Sequence, residues 1–230
     1  MKRQLITLLA VCFLNHLMSG QALREIIFTT YGQYPVRGVE YSPVSQEAIA
    51  AGAKIEPPII IKTHALERSG PYTFKGTSPI RFVSKKDQKI VAQVSIPKGS
   101  EEWLLIFIKN PRYKENPDKQ LKFLVYPFDD SSLSLPKNNL VFLNFSGKDL
   151  AGLLEQERVS ITRGESAPRS VQESLPMNLW ARSFDGEKLL PALIKTYTFQ
   201  PNHRYLMIFF PPVLRGSVDL DVRLLSESVE

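Results

Sequence analysis

The sequence predicts an all-β protein folded as an antiparallel β-sandwich, with a closed β-barrel as the alternative arrangement and at most short helical turns. Three observations lead there. Apolar residues recur with period two or in short continuous runs, which is strand spacing. The 12 Gly and 17 Pro are spread between those runs instead of gathering in one linker. No amphipathic helix of the length that parallel crossovers need separates the runs.

The elements follow in chain order. Residues 23–78 form a turn-rich lead-in that contributes strands to the same fold, with a short helix over Ser45–Gly52 and a strand from Ile59 to Leu66. Gly76-Thr77-Ser78-Pro79 marks the boundary of the sandwich core, residues 79–230. Ile90 to Ile96 alternates and then turns at Pro97-Lys98-Gly99-Ser100. Trp103 to Ile108 is apolar on both faces, so it is expected in the middle of a sheet. After a polar connection from Arg112 to Gln120 come strands at Leu121–Phe128 and Leu140–Phe145. Asp149–Glu155 has helix formers but little room, so a strand is favoured there. Val159 to Ile161 alternates, and Met177–Phe184 leads into Asp185-Gly186, a two-residue hairpin signal. Leu189 onward returns, Tyr205–Phe210 is a second doubly apolar run, and Val218 to Leu224 alternates with Asp219, Asp221 and Arg223. No internal repeat of fixed period is visible.

Composition is that of a globular protein: 43% hydrophobic and 23% charged residues with a mean hydropathy of −0.13. Residues 1–22 read as a signal peptide. Lys2 and Arg3 precede an apolar run from Leu5 to Met18, too short to span a bilayer, and Ser19-Gly20-Gln21-Ala22 suits a cut after Ala22. The expected location is therefore periplasmic or extracellular. The only cysteine, Cys12, leaves with that segment, so folding uses no disulfide. Removal of Lys2 and Arg3 takes two charges from a formal net charge of +6. Export with so mild a charge argues against nucleic acid as a partner, and no second long apolar segment offers a membrane span.

Catalytic chemistries find little material. After cleavage the histidines are His64 and His203, far apart, with no Gly-x-Ser-x-Gly elbow and no His-Glu-x-x-His pattern, so neither a serine hydrolase nor a histidine metal site is expected. Asp219 and Asp221 share a strand face at a separation within reach of glycosidase geometry, yet they read as a solvated face. Asp129-Asp130-Ser131-Ser132 with Asn138-Asn139 offers oxygen ligands for calcium but fits an ordinary loop better. The sequon Asn144-Phe145-Ser146 falls in an apolar strand and reads as chance.

Two groups remain as binding candidates. Tyr31, Tyr34, Tyr41, Tyr72 and Phe74, with Trp180, can form an aromatic platform for sugar rings or a protein partner. Lys85, Lys86 and Lys89, and Arg112 with Lys114, Lys119 and Lys122, form basic clusters suited to anionic envelope polymers.

The strand order from Ile90–Pro97 through Trp103–Ile108 and Leu124–Phe128 to Leu140–Asn144 resembles that of uncharacterised secreted β-sandwich proteins of environmental Gram-negative bacteria. So does the ending, Asn202-His203-Arg204-Tyr205 before Phe209-Phe210-Pro211. The likeness covers about Lys85 to Leu225 and implies export and β-architecture, with no functional residue. The expectation is an exported module without catalysis or cofactor that interacts with an envelope protein or has a structural role there. The alternative is a carbohydrate-binding module or a glycan-active enzyme, with a polysaccharide as the partner.

Overall fold

The computed structural model describes residues 23–183, 185–214 and 217–229. The expected signal peptide and Cys12 lie outside them. The first half holds β1 (Arg24–Gly32), β2 (Val39–Tyr41), α1 (Gln46–Ala50), β3 (Ile59–Ile61), β4 (Ser69–Gly76), β5 (Ile80–Ser84), β6 (Ile90–Val94), β7 (Glu102–Lys109) and β8 (Phe123–Asp129). The second holds β9 (Asn139–Asn144), β10 (Leu150–Leu154), β11 (Glu157–Ile161), β12 (Gly164–Glu165), β13 (Arg169–Ser170), β14 (Ser174–Arg182), β15 (Leu189–Thr198), β16 (His203–Phe210) and β17 (Asp221–Ser228).

These strands make four sheets, none closed into a barrel. Sheet A runs β4-β1-β7-β8, sheet B β3-β2-β5-β6, sheet C β12-β9-β16-β17 with β13 also on β9, and sheet D β11-β10-β14-β15. Neighbours are antiparallel except for β1 beside β7 and β9 beside β16, which are parallel. Each parallel pair is joined through a passage across the opposite sheet, which supplies the long crossover that such pairs require.

The second half repeats the first strand for strand. Position by position in the sheet orders, β1, β2, β3, β5, β6, β7 and β8 correspond to β9, β10, β11, β14, β15, β16 and β17, and the place of β4 is divided between β12 and β13. Even an irregularity recurs. Val91 of β6 is skipped in the register opposite β5, and Ala192 of β15 is skipped opposite β14. The sequence shows no fixed period because the connections differ. Residues 42–58 with α1 join β2 to β3, whereas Glu155 and Gln156 alone join β10 to β11.

Three cores lie between the four sheets. Phe28, Tyr41, Phe82 and Phe107 belong to the core between sheets A and B, and Phe142, Met177, Leu179 and Phe209 to the one between C and D. The opposite faces of A and C meet in a third, where Tyr31, Leu104 and Ile106 pack with Val141, Leu206 and Ile208. The central strands of sheets A and C are thus covered on both faces. That is why β7 and β16 are continuously apolar, while the outer sheets carry the alternating runs, such as β14 with its buried Leu175, Met177, Leu179 and Ala181.

Several local expectations are met and several are revised. Leu150–Leu154 is a strand, and α1 is a five-residue helix whose cap Ser45 accepts from Ala48 N at 3.2 Å. The turn after β14 is longer than the two-residue hairpin expected: Ser183 N donates to Lys188 O at 2.7 Å, and of Asp185 and Gly186 only the glycine has positive φ. β3 stops at Ile61, leaving His64 in the following loop, and Asp219 precedes β17 instead of sharing it with Asp221.

Candidate functional site

β1 and β7 are parallel neighbours, so the connections that leave them emerge at the same end of the first half. Residues 33–38 and 110–122 meet there over a cleft of about 480 Å³. The inward face of β7 reads Trp103, Leu105, Phe107 and Lys109 by period two, and it carries the core to its open end, where Phe107 gives way to Lys109. Buried Val36 and Phe107 and half-buried Phe123 give the lining its apolar part, Tyr34 and Tyr113 add two further rings, and Arg37, Lys109, Lys114 and Lys122 add cations. The Lys122 ammonium sits 5.4 Å from the centre of the Phe123 ring.

Both walls are fixed from within. Thr63 Oγ1 accepts from Val36 N at 2.8 Å and donates to Tyr34 O at 3.1 Å. A Cβ on Gly32 would stand 2.8 Å from both Thr63 Oγ1 and Tyr34 O, so only glycine admits this close turn. Opposite, the buried Asn110 accepts from Arg112 N at 3.0 Å and donates through Nδ2 to Leu121 O at 2.7 Å, which closes the connection around a 3₁₀ turn at Pro111–Lys114. The rings and cations therefore stand on a held frame.

A second hollow of about 170 Å³ adjoins the first and shares Arg37, Tyr113 and Lys122 with it. Asp87 and Lys89 of the β5–β6 turn and Ile90 at the start of β6 also line it. Lys85 N donates to Gly38 O at 2.9 Å and ties that turn to the β1–β2 connection. Lys89 of one predicted basic cluster and Lys114 and Lys122 of the other thus border one groove. Arg112 and Lys119 do not line it.

The aromatic candidates do not gather into a single patch. Tyr34, 46% exposed, is the one on the cleft. Tyr31 and Tyr41 are fully buried, their hydroxyls donating to Ala65 O and Thr73 O at 2.8 Å, and Phe74 is a core residue. Tyr72 is half-buried against Phe28, with its hydroxyl accepting from Lys62 N at 3.0 Å. Trp180 lies half-buried on the outer face of sheet D, at the other end of the stack of sheets. Tyr113, Phe123, Arg37 and Lys109 escape sequence reading because their strands and turns carry no motif; only the fold brings them together.

The oxygen-rich candidates are engaged elsewhere. Asp130 is buried between Arg68 and Arg204, where burial raises its pKa against the pull of both guanidinium groups. Asp129 accepts from Ser131 N at 3.1 Å, and Asp221 pairs with Arg223 at 3.0 Å. Asn144 is buried and its Nδ2 donates to Lys148 O and Ile161 O, which removes the sequon from access. Among the described residues no cluster of three or more His, Cys, Asp or Glu is placed to hold a metal ion, and no helix is long and apolar enough to cross a membrane. No family model matches the chain. Comparison with curated proteins gives no match either.

Proposed function

We propose that the protein is an exported, non-catalytic binding module of the cell envelope that holds a carbohydrate in the cleft between the β1–β2 and β7–β8 connections. The observation that carries this reading is that Tyr34 and Tyr113 line one cleft together with apolar side chains and cations. A sugar presents an apolar C–H face to an aromatic ring and hydroxyls to polar groups around it. The two halves share one scaffold, yet the connections that build the cleft are elaborated in the first. The β9–β10 connection, 145–149, is shorter than 33–38, and 211–220 is shorter than 110–122. A shared frame with one enlarged end suits a site grafted onto a fold.

One feature weighs against catalysis in this cleft. A glycan-cleaving enzyme needs two facing carboxylates, and among the described residues the cleft lining contains none.

Retention of the purified protein on immobilised cell-wall and algal polysaccharides tests this reading. Tyr34→Ala and Tyr113→Ala are each expected to weaken binding by about tenfold, with far-UV circular dichroism unchanged. Retention that is indifferent to both substitutions would remove the cleft from the proposal.

A further inference from the structure

The side chains along the groove narrow the class of sugar it can hold, an assignment that rests on the carbohydrate reading proposed for the cleft. Arg37, Lys109, Lys114 and Lys122 line the main cleft, and among the described residues no Asp or Glu joins them there. Beyond Tyr113, Lys89 adds a fifth cation to the second hollow, where Asp87 is the one carboxylate, turned back toward Lys89 N at 3.5 Å. None of these five cations is in an ion pair among the described residues, whose ion pairs involve Arg68, Arg163, Arg169, Arg204 and Arg223 instead. Unneutralised positive charge held beside low-dielectric aromatic walls attracts anions. Arg37, Tyr113 and Lys122 line both hollows, so the positive charge is spread over two adjoining cavities.

We infer that the groove binds an extended acidic polysaccharide, a chain of uronate units that lay their ring faces on Tyr34 and Tyr113 and their carboxylates among Arg37, Lys89, Lys109, Lys114 and Lys122. A uronate unit carries an apolar ring face and an acid group together, which matches the interleaving of rings and cations here. Four of the five cations are lysines, mobile point charges that follow carboxylates recurring at varied angles, where phosphate recognition favours the fixed fork of arginine. An acidic peptide would need backbone donors along the walls. Those of Gln33, Val36 and Arg112 are already given to Phe107 O, Thr63 Oγ1 and Asn110 Oδ1.

Calorimetric titration of the whole protein with a short oligogalacturonate and with its fully methyl-esterified, uncharged counterpart tests the inference. The acid form is expected to bind at least roughly tenfold more tightly than the ester. Its affinity is expected to fall as salt rises from about 50 to 200 mM. Lys109→Gln combined with Lys122→Gln should lower acid binding by a similar factor and bring it toward that of the ester, while Lys188→Gln in the distant β14–β15 turn changes neither. Equal binding of acid and ester would overturn the uronate assignment and leave the carbohydrate reading standing. Failure of both saccharides would remove both proposals. Tighter binding of polyglutamate or of a single-stranded oligonucleotide would replace the uronate by that class of polyanion.

Discussion

Trp103 and Tyr205 occupy the same place in the two halves. Trp103 lies near the start of β7 beside Phe28 of β1, and Tyr205 near the start of β16 beside Leu140 of β9. Each turns its side-chain donor back to the preceding turn: Trp103 Nε1 donates to Ser100 O at 3.1 Å, and Tyr205 Oη to Gln200 O at 2.8 Å. Both rings then pack into the core of their own half. Trp103→Phe and Tyr205→Phe keep an aromatic ring and remove the donor, so Tyr205→Phe is expected to cost about 1 kcal/mol and Trp103→Phe somewhat more, because the ring also shrinks. Urea denaturation of the two variants measures this.

The contact between the halves has the character of an interior. Tyr31 and Phe210 stack across it with ring centres 6.5 Å apart, and Leu206 and Ile208 are fully buried there. Polar contacts flank the apolar seam: Tyr126 Oη donates to Glu165 Oε2 at 3.1 Å, Gln33 Nε2 to Asp221 Oδ2 at 3.4 Å, and Arg68 pairs with Glu227 at 3.3 Å. Leu206→Ala is expected to cost about 2–5 kcal/mol by opening a cavity. Both halves are expected to melt in one calorimetric transition in the parent protein; two separated transitions would show that the seam does not couple them.

Gly152 of β10 is required by close approach to the neighbouring strand. A Cβ there would stand 2.0 Å from the Asn178 carbonyl oxygen of β14, a backbone atom with nowhere to yield. Gly152→Ala is expected to destabilise by about 3 kcal/mol or more, seen as a lower denaturation midpoint, whereas Gly147→Ala meets no neighbouring atom and carries only the strain of its positive φ.

Stability is expected to fall on the alkaline side. Burial pushes the Tyr31 phenol up to about 12, with Arg223 opposing and Asp221 reinforcing, and burial with Glu165 nearby pushes Tyr126 up to about 12 as well. Burial also raises Tyr41. A phenol whose folded value is raised keeps its proton after the unfolded chain has lost it. Its contribution is therefore complete below the ordinary value of about 10 and is lost as pH rises through the folded one. Melting temperature is expected to drop steeply above about pH 10, and Tyr31→Phe to flatten that drop. A melting curve indifferent to pH across this range would show that these phenols ionise freely in the folded protein.

The strands were legible because sheet burial writes itself into side-chain order. β7 and β16 are apolar on both faces as interior sheets demand, and the period of β14 marks an outer sheet with one wet face. The repeat was hidden since it resides in pairing order, while 42–58 and 155–156 give the same connection different lengths. The site was half legible. Tyr34, Lys89, Lys114 and Lys122 were within the candidate groups, but Tyr31, Tyr41 and Phe74 share their chemistry and are buried. Residue type cannot separate an aromatic on a cleft from one in a core; the parallel alignment of β1 and β7, which sets their loops side by side, decides it.

Backbone amide chemical-shift mapping of the labelled protein during titration with oligogalacturonate tests the central claim most directly. Perturbations are expected to cluster at residues 33–38, 109–114 and 122–123 with Lys89 at their margin, and to leave the outer face of sheet D around Trp180 unchanged. Shifts centred on Trp180, or spread evenly over the surface, would contradict the assignment of the ligand to this end of the first half.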